Sequence, residues 1–353
     1  MAVGGLAGRA EHGGLDEKEA EALATPTGDA VPADAVPGAG IAVASEVSLA
    51  VAAKAAAENF PVALRVLPRR YRTHLTALYG FARLTDDIGD EPLPGMPPDA
   101  ARETVTKTRL ALLDALQADV AKIYAVDGEQ SQGQGQGEGQ GEGRGQDQEP
   151  ELDAIKALKA TVSQCGIPRE PLDDLIEANR QDQLVTRYET YEDLKDYCEL
   201  SANPVGRVVL FIVTEPTPER IRLSDSICTG LQLIEHSQDV AEDLANGRIY
   251  LPRQDRDAFG VTEADLARPR AGENVRRLMK FEVDRAERLL DEGAPLVATL
   301  SGAARLAIAG YVAGGRAAAK AIRDSGYDVL RSTPTPGKAD TIRAMARCYV
   351  KGR

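Results

Sequence analysis

The sequence predicts an all-α fold, one mostly helical domain over residues 46–330. Three observations lead there. Apolar residues recur at helical spacing through most of that span. No regular alternation of strands with crossover helices occurs, and no glycine fingerprint follows a strand. The apolar fraction is 43%, yet Trp is absent and aromatics reach only 4%, so aliphatic packing between helices must supply most of the burial.

Residues 1–45 are rich in Gly, Ala, Pro and acids and read as a disordered acidic segment. A helix is expected over 44–60, in strong helix formers with Ser45 as its cap. Pro61 and Pro68 frame a break. In RTHLTALYGFARLTDDIGD, Leu75, Leu78, Phe81 or Ala82, and Thr85 then share one stripe. Helices follow over 99–124 and in ELDAIKALKATVSQCG. Between them lies 127–151, a Gly- and Gln-rich insertion that is costly to order and reads as solvated.

Pro171 and nearby acids mark the next helix start. Asn203-Pro204 distorts the helical stretch after it, and Gly247 stops the following one. Long helices over 262–292 and 296–323 complete the domain. Residues 331–353 form a tail with six Lys/Arg against one acid, which either approaches an anionic membrane surface or stays solvated.

Two acidic clusters bear on chemistry. On a helix Asp86 and Asp90 lie four apart, as do Asp87 and Glu91, so several acids reach one side. Alone, that stretch is equally well the wet face of a helix. The second cluster places Glu235, Asp239 and Asp243 at intervals of four, beside the apolar positions Leu231, Ile234, Val240 and Leu244. Carboxylates facing inward from a partly buried helix need a metal or a positive ligand. Two such faces meeting would form a hard-cation site of oxygen ligands, which suits Mg2+.

Three histidines and four cysteines without a CxxC pair make zinc unattractive, and the thiols read as reduced. Arg65, Arg69, Arg70, Arg72 and Arg248 are candidates to grip phosphate, Arg248 the better one beside Ile249-Tyr250-Leu251-Pro252. A net charge of −13 argues against nucleic acid as a partner. No run of about 18 uncharged apolar residues is present, and the N-terminus does not read as a secretory signal. The expected location is the cytoplasm, with peripheral contact at the inner membrane face as the alternative. An aliphatic bundle capped by two acidic faces suits a long hydrocarbon tail and a departing diphosphate.

DDIGDE at 86–91, DVAED at 239–243, GRIYLP at 247–252 and RYETYEDLKDYCELSANPVGR at 187–207 together resemble the squalene/phytoene synthase family, over roughly residues 48–325. The resemblance implies an isoprenoid synthase-type bundle around a central hydrophobic cavity, and an isoprenoid diphosphate substrate. It places Asp86, Asp87, Asp90, Asp239 and Asp243 in the Mg2+-binding motifs, with Glu91 completing the first. Glu235 stands where many members carry Asn, and is either a ligand or the partner of a base. Asn59 and Phe60 fall at the diphosphate end, although ENF departs from the Ser-rich version of eukaryotic relatives.

Arg83 either contacts diphosphate or is an i,i+4 support for Asp87. Tyr188 and Tyr250, like Tyr79, face a carbocation or diphosphate, or simply pack. Asp182 and Gln181 are candidates to hold water or metal-bound phosphate. His236 either delivers a proton or is structural.

ENFPVALRVLPRRYR and SANPVGR resemble the bacterial hydroxysqualene synthase branch. That branch implies conversion of presqualene diphosphate and water to hydroxysqualene and diphosphate. Such an enzyme would be coupled to a presqualene diphosphate synthase upstream and a hydroxysqualene-processing enzyme downstream. The rivals are condensation of two farnesyl diphosphates, a phytoene-type reaction, and a non-catalytic helical lipid-binding or scaffold protein.

Overall fold

The computed structural model describes residue 44 and residues 67–125 and 149–351. The expected helix over 44–60, and nearly all of the 1–45 segment and of the insertion, lie outside the described residues. What is described is all α: apart from one isolated parallel bridge between Arg187 and Ile249, no strand occurs among these residues.

Helix α1 (Arg69–Asp90) buries the predicted stripe of Leu75, Leu78, Phe81, Ala82 and Thr85. After α2 (Arg102–Tyr124) comes α3 (Asp153–Cys165), closed by Gly166 in the left-handed conformation that glycine adopts without steric cost. Helix α4 (Glu170–Leu184) carries Pro171 in its first turn. A capping box between Thr190 and Asp193 starts α5 (Tyr191–Ser201). The chain breaks at Ala202, ahead of Pro204, before α6 (Asn203–Val213), as Asn203-Pro204 predicts.

Helix α7 (Pro218–Gln238) is the central element and packs along α11 (Glu273–Gly293). The approach at the end of α11 leaves no room for a side chain. A Cβ on Gly293 would lie 2.5 Å from the Leu223 carbonyl oxygen and 2.9 Å from the Ile227 backbone nitrogen.

Four expectations need correction. The helix read through the second acidic cluster is interrupted. Asp239 has φ −101° and ψ 15°, and the chain restarts as the short α8 (Val240–Ala245). The helix expected over 262–292 is two, α10 (Glu263–Leu266) and α11, separated by a turn; α9 (Arg253–Ala258) precedes them. The helix expected from 296 starts at Gly302, because Ala294–Thr299 is a 3-10 segment with Pro295 near its start; α12 runs Gly302–Asp324. Finally, the basic tail is largely helical: α13 (Lys338–Lys351) packs on α12 and buries Cys348.

The interior is aliphatic, as the composition requires, with Leu84, Ile88, Ile176, Val208 and Leu290 fully enclosed. All four cysteines are free thiols.

Candidate active site

The two clusters approach each other where the α1 C-terminus, α4 and the α7–α8 break meet: Asp86 acts on the charge of Glu235, and Arg248 reaches Asp90. Helix spacing sorts the first cluster into two sets. Asp87 and Glu91 turn to Arg83, at 2.9 and 3.6 Å, so Arg83 forms the i,i+4 support pair. Asp86 and Asp90 point elsewhere. Asn179 on α4 donates to Asp86 across 3.4 Å, and Arg248 donates to Asp90 across 2.7 Å.

Gly89 permits this approach. A Cβ there would sit 2.4 Å from the Asn179 side-chain oxygen, while Gln183 Nε2 donates to the Gly89 carbonyl across 3.2 Å.

The GRIYLP segment is positioned by its backbone. Gly247 adopts φ 80°, and its carbonyl accepts from Arg187 across 2.7 Å. The Ile249 N–H then donates to the Thr186 carbonyl, and the Arg253 N–H to the Tyr188 carbonyl. Residues 186–189 and 247–253 therefore run side by side and bring Tyr188 and Tyr250 together, with ring centroids 5.8 Å apart. Tyr197 from α5 completes the wall at 5.5 Å from Tyr188 and 5.7 Å from Tyr250. The His236 ring stacks on Tyr250 at 3.8 Å.

Beneath this wall Asp182 accepts from the Tyr197 hydroxyl across 2.7 Å and from the Tyr250 hydroxyl across 3.1 Å. Gln181 Nε2 donates to the Tyr188 oxygen across 3.4 Å.

Electrostatics tie the two clusters into one site. Burial pushes Glu235 up to about 8, with Asp239, Asp86 and Asp243 adding to the effect. Asp243 rises to about 8 through burial and Asp239, and Asp239 to about 6 through burial and Glu242. Asp182 rises to about 6 because it is buried, although Arg248 opposes the shift. Burial works against charge on Arg248, yet Asp90, Tyr250 and Asp182 hold its pKa above the ordinary value. His236 is driven down to about 3 by burial, so its imidazole is neutral.

Among the described residues no group of three or more His, Cys, Asp or Glu is gathered as a ready metal site. The donor chemistry nevertheless fits a hard divalent cation. Asp86, Glu235, Asp239 and Asp243 are oxygen donors, and the last three carry pKa values that an added positive charge would lower.

Other candidates separate from the site. Arg69, Arg70 and Arg72 do not face the acids: they begin α1, about 21–26 Å of helix from Asp86. A groove of about 630 Å³ between α1 and α3, lined by Arg69, Arg72 and Gly80 among others, is likewise apart from the acidic junction. Asn59, Phe60 and Arg65 lie outside the described residues. The structure also adds groups the sequence did not single out. Arg109 on α2 donates to the Glu91 carbonyl and to Gln183, and Asp90 and Arg248 both act on its charge. Tyr197 and Asn179 join it, Tyr197 lying within the RYETYEDLKDYCELSANPVGR stretch without having been singled out.

A model of the squalene/phytoene synthase family matches residues 53–340. The chain belongs to the squalene/phytoene synthase family. It is 32% identical over 245 residues to a hydroxysqualene synthase of Rhodopseudomonas palustris, covering 69% of this chain and 71% of that one. To a 15-cis-phytoene synthase of Synechococcus elongatus the identity is 28% over 287 residues, covering 78% and 82%. Among solved structures, squalene synthase HpnC of Alicyclobacillus acidocaldarius shares 37% identity, over 84% of this chain and 97% of that one, with a TM-score of 0.64. Family membership thus agrees with the all-α bundle and with the order of the acidic motifs.

Proposed function

We propose that the chain is a hydroxysqualene synthase, converting presqualene diphosphate and water to hydroxysqualene and diphosphate. One observation carries the reading. Acids from both motifs, Arg248 and a wall of three tyrosines occupy one end of an aliphatic bundle. The choice of this reaction within the family rests on the identity to hydroxysqualene synthases and on the SANPVGR stretch.

Arg248 grips oxygens of the diphosphate as the substrate C–O bond breaks and the electron pair leaves with the phosphate. Asp86, Glu235, Asp239 and Asp243 would hold Mg2+, with Asp90 near them on Arg248, and the bound ion would supply positive charge to the leaving group. Tyr188, Tyr197 and Tyr250 present ring faces to the carbocation while it rearranges. Water then adds to the cation and loses a proton to the Asp182 carboxylate, which accepts hydrogen bonds from two of the phenols. His236, kept neutral by burial, stacks on the Tyr250 ring and holds it in place. A preceding enzyme must supply presqualene diphosphate, and a following one must consume the secondary allylic alcohol formed.

Purified protein is to be incubated with Mg2+ and, in separate vessels, presqualene diphosphate and farnesyl diphosphate. Hydroxysqualene is expected from the first. Presqualene diphosphate formed cleanly from the second would overturn the assignment in favour of the condensing reaction.

A further inference from the structure

Helix α13 carries three distinct faces. Thr341, Ala344, Met345 and Cys348, spaced i, i+3, i+4 and i+7, turn toward the bundle, where Cys348 is buried beside Arg316 on α12. Ile342, Ala346, Tyr349 and Val350, spaced i, i+4, i+7 and i+8, form a second, exposed stripe, in which the Tyr349 ring lies against the Arg305 guanidinium. Ile342 is 68% and Val350 79% exposed, and three of the four large apolar side chains exposed among the described residues belong to this one helix. A basic row adjoins the stripe: Arg343 and Arg347 are four apart, and Lys351 occupies the next position of that register.

Apolar side chains left in water over one short helix mark a contact surface. Its charge says what the contact is with. The helix holds four Lys/Arg against one acid in a chain of net charge −13. An acidic surface is repelled by the chain as a whole and attracted by this helix, where the basic row stands beside an exposed apolar stripe. An apolar stripe bordered by basic residues has the form of a helix lying in a bilayer interface. Among the described residues no helix is long and apolar enough to cross a membrane, which leaves contact in the plane. The segment leading into α13 also touches the candidate site: Gln238, next to Asp239, donates to the Pro334 carbonyl.

We propose that α13 docks the protein on an anionic lipid surface, with Ile342, Tyr349 and Val350 entering the interface and Arg343 and Arg347 facing the headgroups. The docking holds whatever product the acidic site makes.

Flotation of the full chain with phosphatidylglycerol-containing vesicles tests it against pure phosphatidylcholine vesicles. Binding is expected to the anionic vesicles, weakening as salt is raised. The Ile342→Ser/Val350→Ser double variant and Arg347→Glu are each expected to lower vesicle binding about tenfold, with thermal unfolding unchanged because these side chains are solvent-facing. Equal binding to both kinds of vesicle, absence of binding, or variants that float like the parent would overturn the proposal. So would a lipid-free dimer that the double variant dissolves, since the stripe would then belong to a second copy of the chain.

Discussion

Arg248 Nη2 donates to Asp90 Oδ1 across 2.7 Å, joining two residues 158 positions apart in the chain. The contact links the end of α1 to the segment after α8 and places the guanidinium among carboxylates of both motifs. If Arg248 grips the diphosphate as proposed, Arg248→Ala removes that grip and leaves Asp90 beside other acids. Turnover of presqualene diphosphate is expected to fall roughly a hundredfold or more, the scale of losing one preorganised charge-stabilising group. Steady-state product analysis checks this, and a change smaller than about threefold would remove Arg248 from the diphosphate.

The acids themselves give a pH and metal prediction. Burial raises Glu235 and Asp243 to about 8 and Asp239 to about 6, above the ordinary carboxylate value of about 4. Between the unfolded and folded values the folded chain binds more protons, so its stability falls as pH rises. The metal-free protein is therefore expected to lose melting temperature from about pH 5 to about pH 8. Mg2+ should restore it most at the alkaline end, by binding the ionised form. Glu282, raised by burial to about 8, adds a slope of the same sign. Asp243→Asn separates the two, because it should flatten the slope and blunt the Mg2+ effect. Calorimetry with chelator and with Mg2+ provides the readout, and a melting temperature that climbs across this window would sink the prediction.

Two glycines should respond differently to the same methyl group. At Gly293 a Cβ meets backbone, the Leu223 carbonyl at 2.5 Å, and α7 cannot yield without moving as a unit. Gly293→Ala is expected to cost about 3 kcal/mol or more in chemical denaturation. At Gly89 the Cβ meets the Asn179 side chain, which can turn aside by giving up its bond to Asp86. Gly89→Ala should therefore cost no more than about 1–2 kcal/mol in stability, offset in part by better helix propensity. It should also lower activity by disturbing Asp86. Equal stability losses at the two positions would refute the distinction.

These contrasts show what the sequence could and could not convey. The α1 stripe was readable because Leu75, Leu78, Phe81 and Thr85 repeat with the helical period. The break at Asp239 was not, since QDVAEDLA contains neither Gly nor Pro and keeps helical spacing on both sides. Spacing put Asp87 and Asp86 on equal terms, and only the position of Arg83 divides them. Nearness in sequence misled for Arg69, Arg70 and Arg72, which a straight helix carries away from the acids. Asp182 was legible from its place before the RYET stretch, but Asn179 and Gln183 are hidden in the same polar run ANRQDQ, where spacing alone does not show which side turns inward. Arg109 lies in no motif, so its place beside Asp90 and Arg248 needed the fold.

Asp182 offers the most direct test of the tyrosine wall. Its carboxylate accepts from two phenols at once, and burial holds it near about 6. Asp182→Asn preserves shape but leaves one side-chain oxygen to accept, so one phenol faces an NH2 group and a buried donor loses its partner. That loss costs about 1–3 kcal/mol and should displace Tyr197 or Tyr250. If the ionised carboxylate receives the proton released by water, activity in the parent rises with pH through about 6. The variant should lose that acid limb together with most of its hydroxylated product. Asp239 titrates in the same region, so Asp239→Asn serves as the control: it should abolish turnover at every pH and reveal no separate limb. An acid limb that persists unchanged in Asp182→Asn would assign proton uptake to another group.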